Sequence, residues 1–183
     1  MKITHTALSG VFVIETMSLA DHRGAFARLY CERELASVMN GRRIVQINHS
    51  RTAVIGAVRG MHFQRPPHAE MKLVRCLKGR VWDVAADLRA GSPTYLQWHA
   101  EELAPDNART LVIPEGCAHG FQVLESDSEL LYLHTAFYEP GAEGGVSCSD
   151  PRLGITWPLE ITDLSRRDSS HPPITLDFPG LAI

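Results

Sequence analysis

Four residues in two short stretches of the chain carry side chains able to move protons or bind a metal ion. His62 and Gln64 flank Phe63, Lys72 follows them, and His119 lies further along the chain. Imidazoles are both common metal ligands and effective general bases near neutral pH. A lysine ammonium has no lone pair for a cation and repels it. The set therefore favours acid–base chemistry over metal chemistry.

These residues lie in two motifs that resemble those of cupin proteins, at residues 56–79 and 114–119. In metal-binding cupins the first motif supplies two histidines and a glutamate, and the second supplies another histidine. The corresponding positions here are His62, Gln64, Lys72 and His119. A lysine thus occupies the position of a metal ligand, and we expect no metal or other cofactor.

Length and composition favour one globular domain. The chain has 183 residues, of which 44% are hydrophobic and 21% charged, enough for one well-buried core. We predict a single domain over residues 1–183, with a loosely structured tail over 172–183. A formal net charge of -3 gives no general attraction to nucleic acid. Scattered cysteines, no signal-peptide pattern and no long apolar run predict a cytoplasmic protein that binds no membrane.

Short alternating runs separated by turn residues predict an antiparallel all-β barrel with a few short helices. The predicted strands cover residues 10–14, 25–31, 44–51, 58–64, 72–78, 80–89, 97–103, 110–113, 120–123, 130–138 and 155–157. A short helix is predicted over 32–39, ended by Asn40 and Gly41, and a second helix or turn over 165–168.

Successive side chains of a strand point to opposite faces, so every second residue shares a face, and several polar residues fall on shared faces in this way. The shared sets are Gln46, Asn48 and Ser50; Lys72, Val74 and Cys76; and Tyr132, His134 and Tyr138. Buried polar groups must be paired or solvated, so faces of this kind predict a polar cavity inside the barrel. Arg59 and His62 are three residues apart, so in a regular strand their side chains would point to opposite faces. Either one of them lies at the barrel mouth or Gly60 marks a bulge.

Further motifs give a resemblance over nearly the whole chain. They include residues 21–26, 59–64, 83–89, 113–121, 150–158 and 164–168. In this order they closely resemble the dTDP-4-dehydrorhamnose 3,5-epimerase family. The resemblance implies a cupin-type double-stranded β-helix, or jelly-roll barrel. It also implies epimerisation of a dTDP-4-keto-6-deoxyhexose at C3 and C5.

The resemblance implies four catalytic residues. His62 matches the base, and Asp168 matches the carboxylate that orients its ring. Lys72 matches a group suited to stabilising the enolate oxygen, and Tyr132 matches the acid that returns a proton. Each type suits its role, since an imidazole titrates near neutral pH and a phenol can donate a proton to carbon.

The resemblance also implies substrate-binding residues and a homodimer. The binding residues are Arg23, Phe26, Gln46, Asn48, Arg59, His119 and Tyr138. Arg23 and Phe26 match residues that reach the site from the partner subunit. The alternatives are inversion at only one carbon, a metal-dependent oxygenase using His62, Gln64 and His119, and a non-catalytic sugar-nucleotide-binding protein.

Overall fold

The computed structural model describes residues 1–183 and is dominated by β-strands. There are two short α-helices, α1 (Ala36–Met39) and α2 (Arg166–Ser169), and a 3-10 turn at Pro140–Ala142. The strands are β1 (Lys2–His5), β2 (Phe12–Glu15), β3 (Ser18–Asp21), β4 (Gly24–Ala27), β5 (Gln46–Thr52), β6 (Val58–Gln64), β7 (Lys72–Lys78), β8 (Val81–Asp87), β9 (Trp98–Leu103), β10 (Arg109–Ile113), β11 (Cys117–Val123), β12 (Ser128–His134) and β13 (Glu143–Gly145). No helix has the length and apolar character needed to cross a membrane.

The strands form two main sheets whose strand pairs are all antiparallel. One sheet has the order β1-β2-β10-β7-β12-β5 and the other β13-β6-β11-β8-β9, while β3 and β4 form a separate hairpin. A buried apolar cluster joins the sheets, with Val74 and Leu111 from the first packed in one group with Ala85 and Phe121 from the second. The predicted cupin-type jelly-roll barrel is confirmed.

The strand predictions match some strands around the predicted site and miss the bounds of others, including β11, which begins at Cys117 rather than at residue 120 and so contains His119. β6 and β7 have the predicted bounds, but β12 ends at His134 rather than at residue 138. Residues 155–157 form no strand, and β1, β3 and β13 were not predicted. β13 contains two glycines and exists through its pairing with β6, a long-range contact that leaves no local pattern.

Helix α1 ends with a conventional cap, and helix α2 begins with one. α1 is shorter than predicted but ends as expected at Asn40, whose φ of 44° is left-handed. α2 begins after Ser165, whose hydroxyl accepts a hydrogen bond from the Asp168 backbone N–H at 3.0 Å. This cap fixes the backbone that carries Asp168.

The tail over residues 172–183, predicted to be loosely structured, forms no helix or strand, and several of its residues contact the barrel. Ile174 is buried, and its N–H donates to the Asp150 carboxylate. The Leu181 N–H donates to the Leu88 carbonyl at 2.6 Å, and the Tyr95 hydroxyl donates to the Phe178 carbonyl at 2.6 Å. Side-chain and backbone contacts anchor the tail without giving it a sheet register.

An irregularity at Gly60 brings two differently facing residues to the same side of the barrel. The register of β6 against β11 shifts between His119 and Phe121. Gly60 has a φ of 140°, a conformation that favours glycine. Both Arg59 and His62 line one cavity. Of the two sequence-based alternatives, the structure shows the irregular strand.

Gly60→Ala is expected to destabilise the fold because a Cβ there would lie 2.5 Å from the Gly120 Cα. Gly24→Ala is the matched control, since Gly24 has a φ of 138° but no atom within 4 Å of the position that a Cβ would take. Overpacking should make Gly60→Ala less stable than Gly24→Ala by roughly 1–3 kcal/mol in urea unfolding. Equal losses for the two variants would contradict the close approach of β6 and β11.

Candidate active site

A polar cavity of about 570 Å³ opens between the two sheets. Residues of β5, β6, β7, β11 and β12 line it, and most of them are polar. His62, Lys72, His119 and Tyr132 all face this cavity. The polar faces predicted from strand alternation therefore converge.

His62 forms a close pair with a buried carboxylate. Its Nε2 lies 2.6 Å from Asp168 Oδ1, and Asp168 Oδ2 accepts a hydrogen bond from the Gly60 N–H at 3.3 Å. Burial raises the pKa of Asp168, but the hydrogen bond and charge of His62 outweigh it and hold that pKa below its ordinary value. Because Nε2 donates to the carboxylate, Nδ1 is the nitrogen left to accept a proton.

Arg167 approaches the same ring from the cavity rim. Its Nη2 lies 3.1 Å from His62 Nε2, and its Nη1 donates to Glu143 Oε2 at 2.8 Å. The shorter contact and negative charge of Asp168 make that carboxylate the acceptor of the Nε2 proton. A guanidinium half exposed at the rim is suited to binding an anionic part of a ligand.

His171 packs directly against this pair. Its ring centroid lies 5.7 Å from that of His62, and its Nε2 is 3.8 Å from Asp168 Oδ1. Burial, together with the charge of His62, lowers the pKa of His171. The three residues could present metal-binding atoms within 4.8 Å of one another, but the Arg167 cation at 3.1 Å from His62 opposes a metal ion there.

Gln64 is committed to protein contacts. Its amide nitrogen donates to the carbonyls of His68 and Phe137, and its Oε1 accepts from the Glu139 N–H at 2.7 Å. These bonds hold the segment after β12 to β6. They also occupy the oxygen that a metal ion would require.

Lys72 lies at the buried end of the cavity beside an acidic residue that sequence reasoning missed. Its Nζ is 3.2 Å from Glu70 Oε1, and Glu70 Oε2 is 2.7 Å from His134 Nδ1. Burial raises the pKa of Glu70, but the His134 hydrogen bond and the Lys72 charge outweigh it and lower that pKa. The shared parity of His134 with Tyr132 was the one available signal for His134.

Tyr132 is a buried phenol in the same cavity. Its hydroxyl lies 3.0 Å from Ser50 Oγ, and burial raises its pKa. The ring of His119 meets it edge-on at 6.0 Å, and His119 Nε2 lies 2.8 Å from Asp83 Oδ1. Burial raises the pKa of Asp83, which lies on β8 and was not predicted as a site residue. A raised pKa keeps the Tyr132 phenol protonated and able to donate.

Tyr138 reaches the cavity by a different route from the predicted one. The prediction that it shares a strand face with Tyr132 is wrong, because β12 ends at His134. Tyr138 instead lies on the following segment at the rim, with its side chain 51% exposed. Its hydroxyl donates to Glu143 Oε2 at 3.0 Å, a hydrogen bond that raises the Tyr138 pKa.

The predicted binding residues divide into two groups. Arg59 and Asn48 line the cavity, and Gln46 contacts the Asn48 side chain and the Tyr138 N–H. Arg23 and Phe26 lie on the β3–β4 hairpin and line a separate shallow depression. Within one chain, the structure does not bring this second group to the cavity.

A cupin-type barrel that gathers these proton-carrying groups in a polar cavity has the parts an isomerase needs to remove and return protons. A family model described as dTDP-4-dehydrorhamnose 3,5-epimerase matches residues 5–175. The chain belongs to the dTDP-4-dehydrorhamnose 3,5-epimerase family.

Individual relatives agree with this assignment along nearly the whole chain. The dTDP-4-dehydrorhamnose 3,5-epimerase of Pseudomonas aeruginosa is 44% identical over 90% of each chain. That of Salmonella typhimurium is 41% identical over 94% of each chain. The structure of dTDP-6-deoxy-D-glucose-3,5-epimerase from Legionella pneumophila, in complex with dTDP-4-keto-L-rhamnose, superposes with a TM-score of 0.89 at 37% identity, covering 94% of this chain and 92% of that one.

Proposed function

We propose that the protein converts dTDP-4-dehydro-6-deoxy-D-glucose into dTDP-4-dehydro-L-rhamnose by inverting C3 and C5. The observation that carries this proposal is the convergence of the His62–Asp168 pair, the Lys72 ammonium and the Tyr132 phenol on one cavity. The C4 ketone acidifies the hydrogens on both neighbouring carbons, so proton transfer alone can invert them.

In the proposed reaction His62 removes the C3 proton through Nδ1. The electron pair of the broken C–H bond forms the enolate, and the negative charge on the C4 oxygen is stabilised by the Lys72 ammonium. Tyr132 returns a proton to C3 on the opposite face. Proton exchange with solvent then restores both groups, and the same sequence at C5 inverts the second carbon. Asp168 stabilises the imidazolium formed in each cycle.

The nucleotide is proposed to bind through the cationic and amide groups near the cavity mouth. Arg59 has only a weak contact to Thr52 Oγ1 at 3.5 Å, which leaves its guanidinium free for diphosphate oxygens. Asn48 and Gln46 offer amide groups to the nucleotide or sugar, His119 contributes to the sugar pocket, and Tyr138 supplies a second phenol at the rim.

Metal-dependent oxygenase chemistry is disfavoured by the bonding of Gln64 and by the ammonium of Lys72 in the would-be ligand set. We propose that the enzyme works as a single domain without metal or cofactor, in the cytoplasm, and binds neither nucleic acid nor membrane.

The test is turnover of dTDP-4-dehydro-6-deoxy-D-glucose by chelator-treated protein, followed by proton NMR in ordinary water. Inversion of C3 removes the large coupling between the axial protons on C2 and C3. We expect full activity after chelation and no increase when divalent metals are returned. Activity that depends on added metal would overturn the proposal.

We propose a homodimer in which the β3–β4 hairpin of each chain completes the partner's site. The hairpin region exposes Met17, Leu19 and Phe26, with 79%, 65% and 70% of their areas accessible. Apolar groups this exposed are typical of an interface. Beside the cavity, β5 is the unpaired edge of its sheet and exposes Ile47, so it could pair with a partner's strand.

Arg23→Ala is expected to raise KM roughly tenfold and leave kcat nearly unchanged. A diphosphate contact remote from the reacting carbons stabilises the ground and transition states equally. Steady-state kinetics should compare it with Arg33→Ala, which removes an exposed arginine that makes no side-chain contact. A monomer in light scattering, or an unchanged KM for Arg23→Ala, would contradict the role of the hairpin.

A further inference from the structure

Glu70 is the common acceptor for two of the groups at the buried end of the cavity. Its side chain is only 7% exposed, and its two carboxylate oxygens are divided between Lys72 at 3.2 Å and His134 at 2.7 Å. Because the lowered pKa of Glu70 keeps it ionised, both contacts must be donated to it. The Nδ1 of His134 therefore carries a proton.

The protonation of His134 sets the direction of a longer hydrogen-bond chain. With Nδ1 donating, Nε2 is the ring nitrogen left to accept from the Asn48 amide nitrogen, which lies 3.3 Å away. The Asn48 Oδ1 then accepts from the Gln46 amide nitrogen at 3.2 Å, and Gln46 Oε1 accepts from the Tyr138 backbone N–H at 3.1 Å. Every donor in the chain points towards Glu70.

We propose that Glu70 is a positioning residue for the reaction. Its carboxylate holds the Lys72 ammonium in place for the enolate oxygen. Through His134, it also fixes which face each amide of Asn48 and Gln46 presents to the ligand. The last link holds the backbone of Tyr138 at the rim. This role rests on the proposed epimerase function.

The isosteric change Glu70→Gln should reverse the hydrogen bonds as far as Asn48 and disrupt the chain at Gln46, because the backbone N–H of Tyr138 can only donate. Glutamine must turn its one carbonyl oxygen towards the Lys72 ammonium, so its NH₂ group faces His134 Nδ1. The ring then becomes an acceptor at Nδ1 and carries its proton on Nε2. The Nε2–H group then points at the Asn48 amide nitrogen, which is also a donor, so the Asn48 amide must rotate by 180°. After that rotation the Asn48 NH₂ group faces the NH₂ group of Gln46, and two donors meet there. Glu70→Asp keeps a charged acceptor for both groups and should preserve the original direction.

The first measurement is the tautomer of His134, read from two-bond proton–nitrogen correlations of the labelled protein. We expect the Nδ1–H form in wild type and Glu70→Asp, and the Nε2–H form in Glu70→Gln. This readout needs no turnover. It tests the hydrogen-bond chain itself, and an unchanged tautomer in Glu70→Gln would overturn the proposal.

The second measurement is steady-state kinetics of the same variants. Misplacing the Lys72 ammonium should lower kcat of Glu70→Gln by about tenfold to a hundredfold with a smaller change in KM, and Glu70→Asp should recover part of the loss. Glu160→Gln is the matched control, since Glu160 is exposed and its carboxylate makes no contact. Wild-type kcat in Glu70→Gln would overturn the proposal. Inactive wild-type protein would instead reject the epimerase function, while the tautomer would still test the chain.

Discussion

Replacement of His62 by alanine is expected to lower kcat by about 10²–10⁴-fold or more, the contribution of a positioned general base. The Nε2 of His62 is held by Asp168, and its Nδ1 makes no protein hydrogen bond. One base serves both carbons in the proposed reaction, so exchange at C3 and at C5 should fall together. Exchange followed by NMR measures both.

The control for this loss is His5→Ala, which removes an exposed histidine packed on Phe12 outside the cavity. Both variants should keep the wild-type circular dichroism spectrum, because His62 is only partly buried. Epimerisation by folded His62→Ala at the wild-type rate would reject the assignment of the base.

Tyr132→Phe is expected to separate proton removal from inversion. The change deletes the buried hydroxyl beside Ser50 and leaves the His62–Asp168 pair intact. The base can still remove a proton and return it, or a solvent-derived one, to the same face. We therefore expect deuterium to enter the unreacted substrate while product formation falls by about 10²-fold or more.

Tyr95→Phe is the matched control, because its hydroxyl donates to the Phe178 carbonyl in the tail, remote from the cavity. It should lose some stability, since the Tyr95 hydrogen bond anchors the tail, but retain wild-type kcat. Product formation by Tyr132→Phe at the wild-type rate would show that another group is the acid.

The fold was predictable where burial imposes a strict pattern. β6 and β7 are central in their sheets and carry a run of buried residues, and their bounds match the alternation residue by residue. The short edge strand β13 depends on pairing with β6, which is distant in sequence, whereas β1 pairs with the neighbouring β2 and was missed for lack of a clear local pattern. Tyr138 was placed wrongly because the alternation of side chains between two faces holds only within a strand, and β12 ends before Tyr138.

Part of the site was predictable because its residues belong to motifs. His62, Lys72, His119 and Tyr132 face one cavity, as strand parity and the family resemblance indicated. Their polar partners Glu70, Asp83 and Arg167 were not assigned a role, although Asp83 and Arg167 lie within the motifs, because a carboxylate or guanidinium on a strand or helix resembles an ordinary surface charge until the fold brings it close. The reactive groups could therefore be predicted from the sequence, whereas these three partners, which hold them in position, could not.

The most direct test of the central claim is deuterium incorporation by the wild-type protein acting on dTDP-4-dehydro-6-deoxy-D-glucose in deuterated water, observed by NMR at C3 and C5. If His62, Lys72 and Tyr132 invert both carbons by proton transfer, the product carries deuterium at both positions. No deuterium at either carbon would contradict the proposed chemistry, and deuterium at C3 alone would contradict inversion at C5.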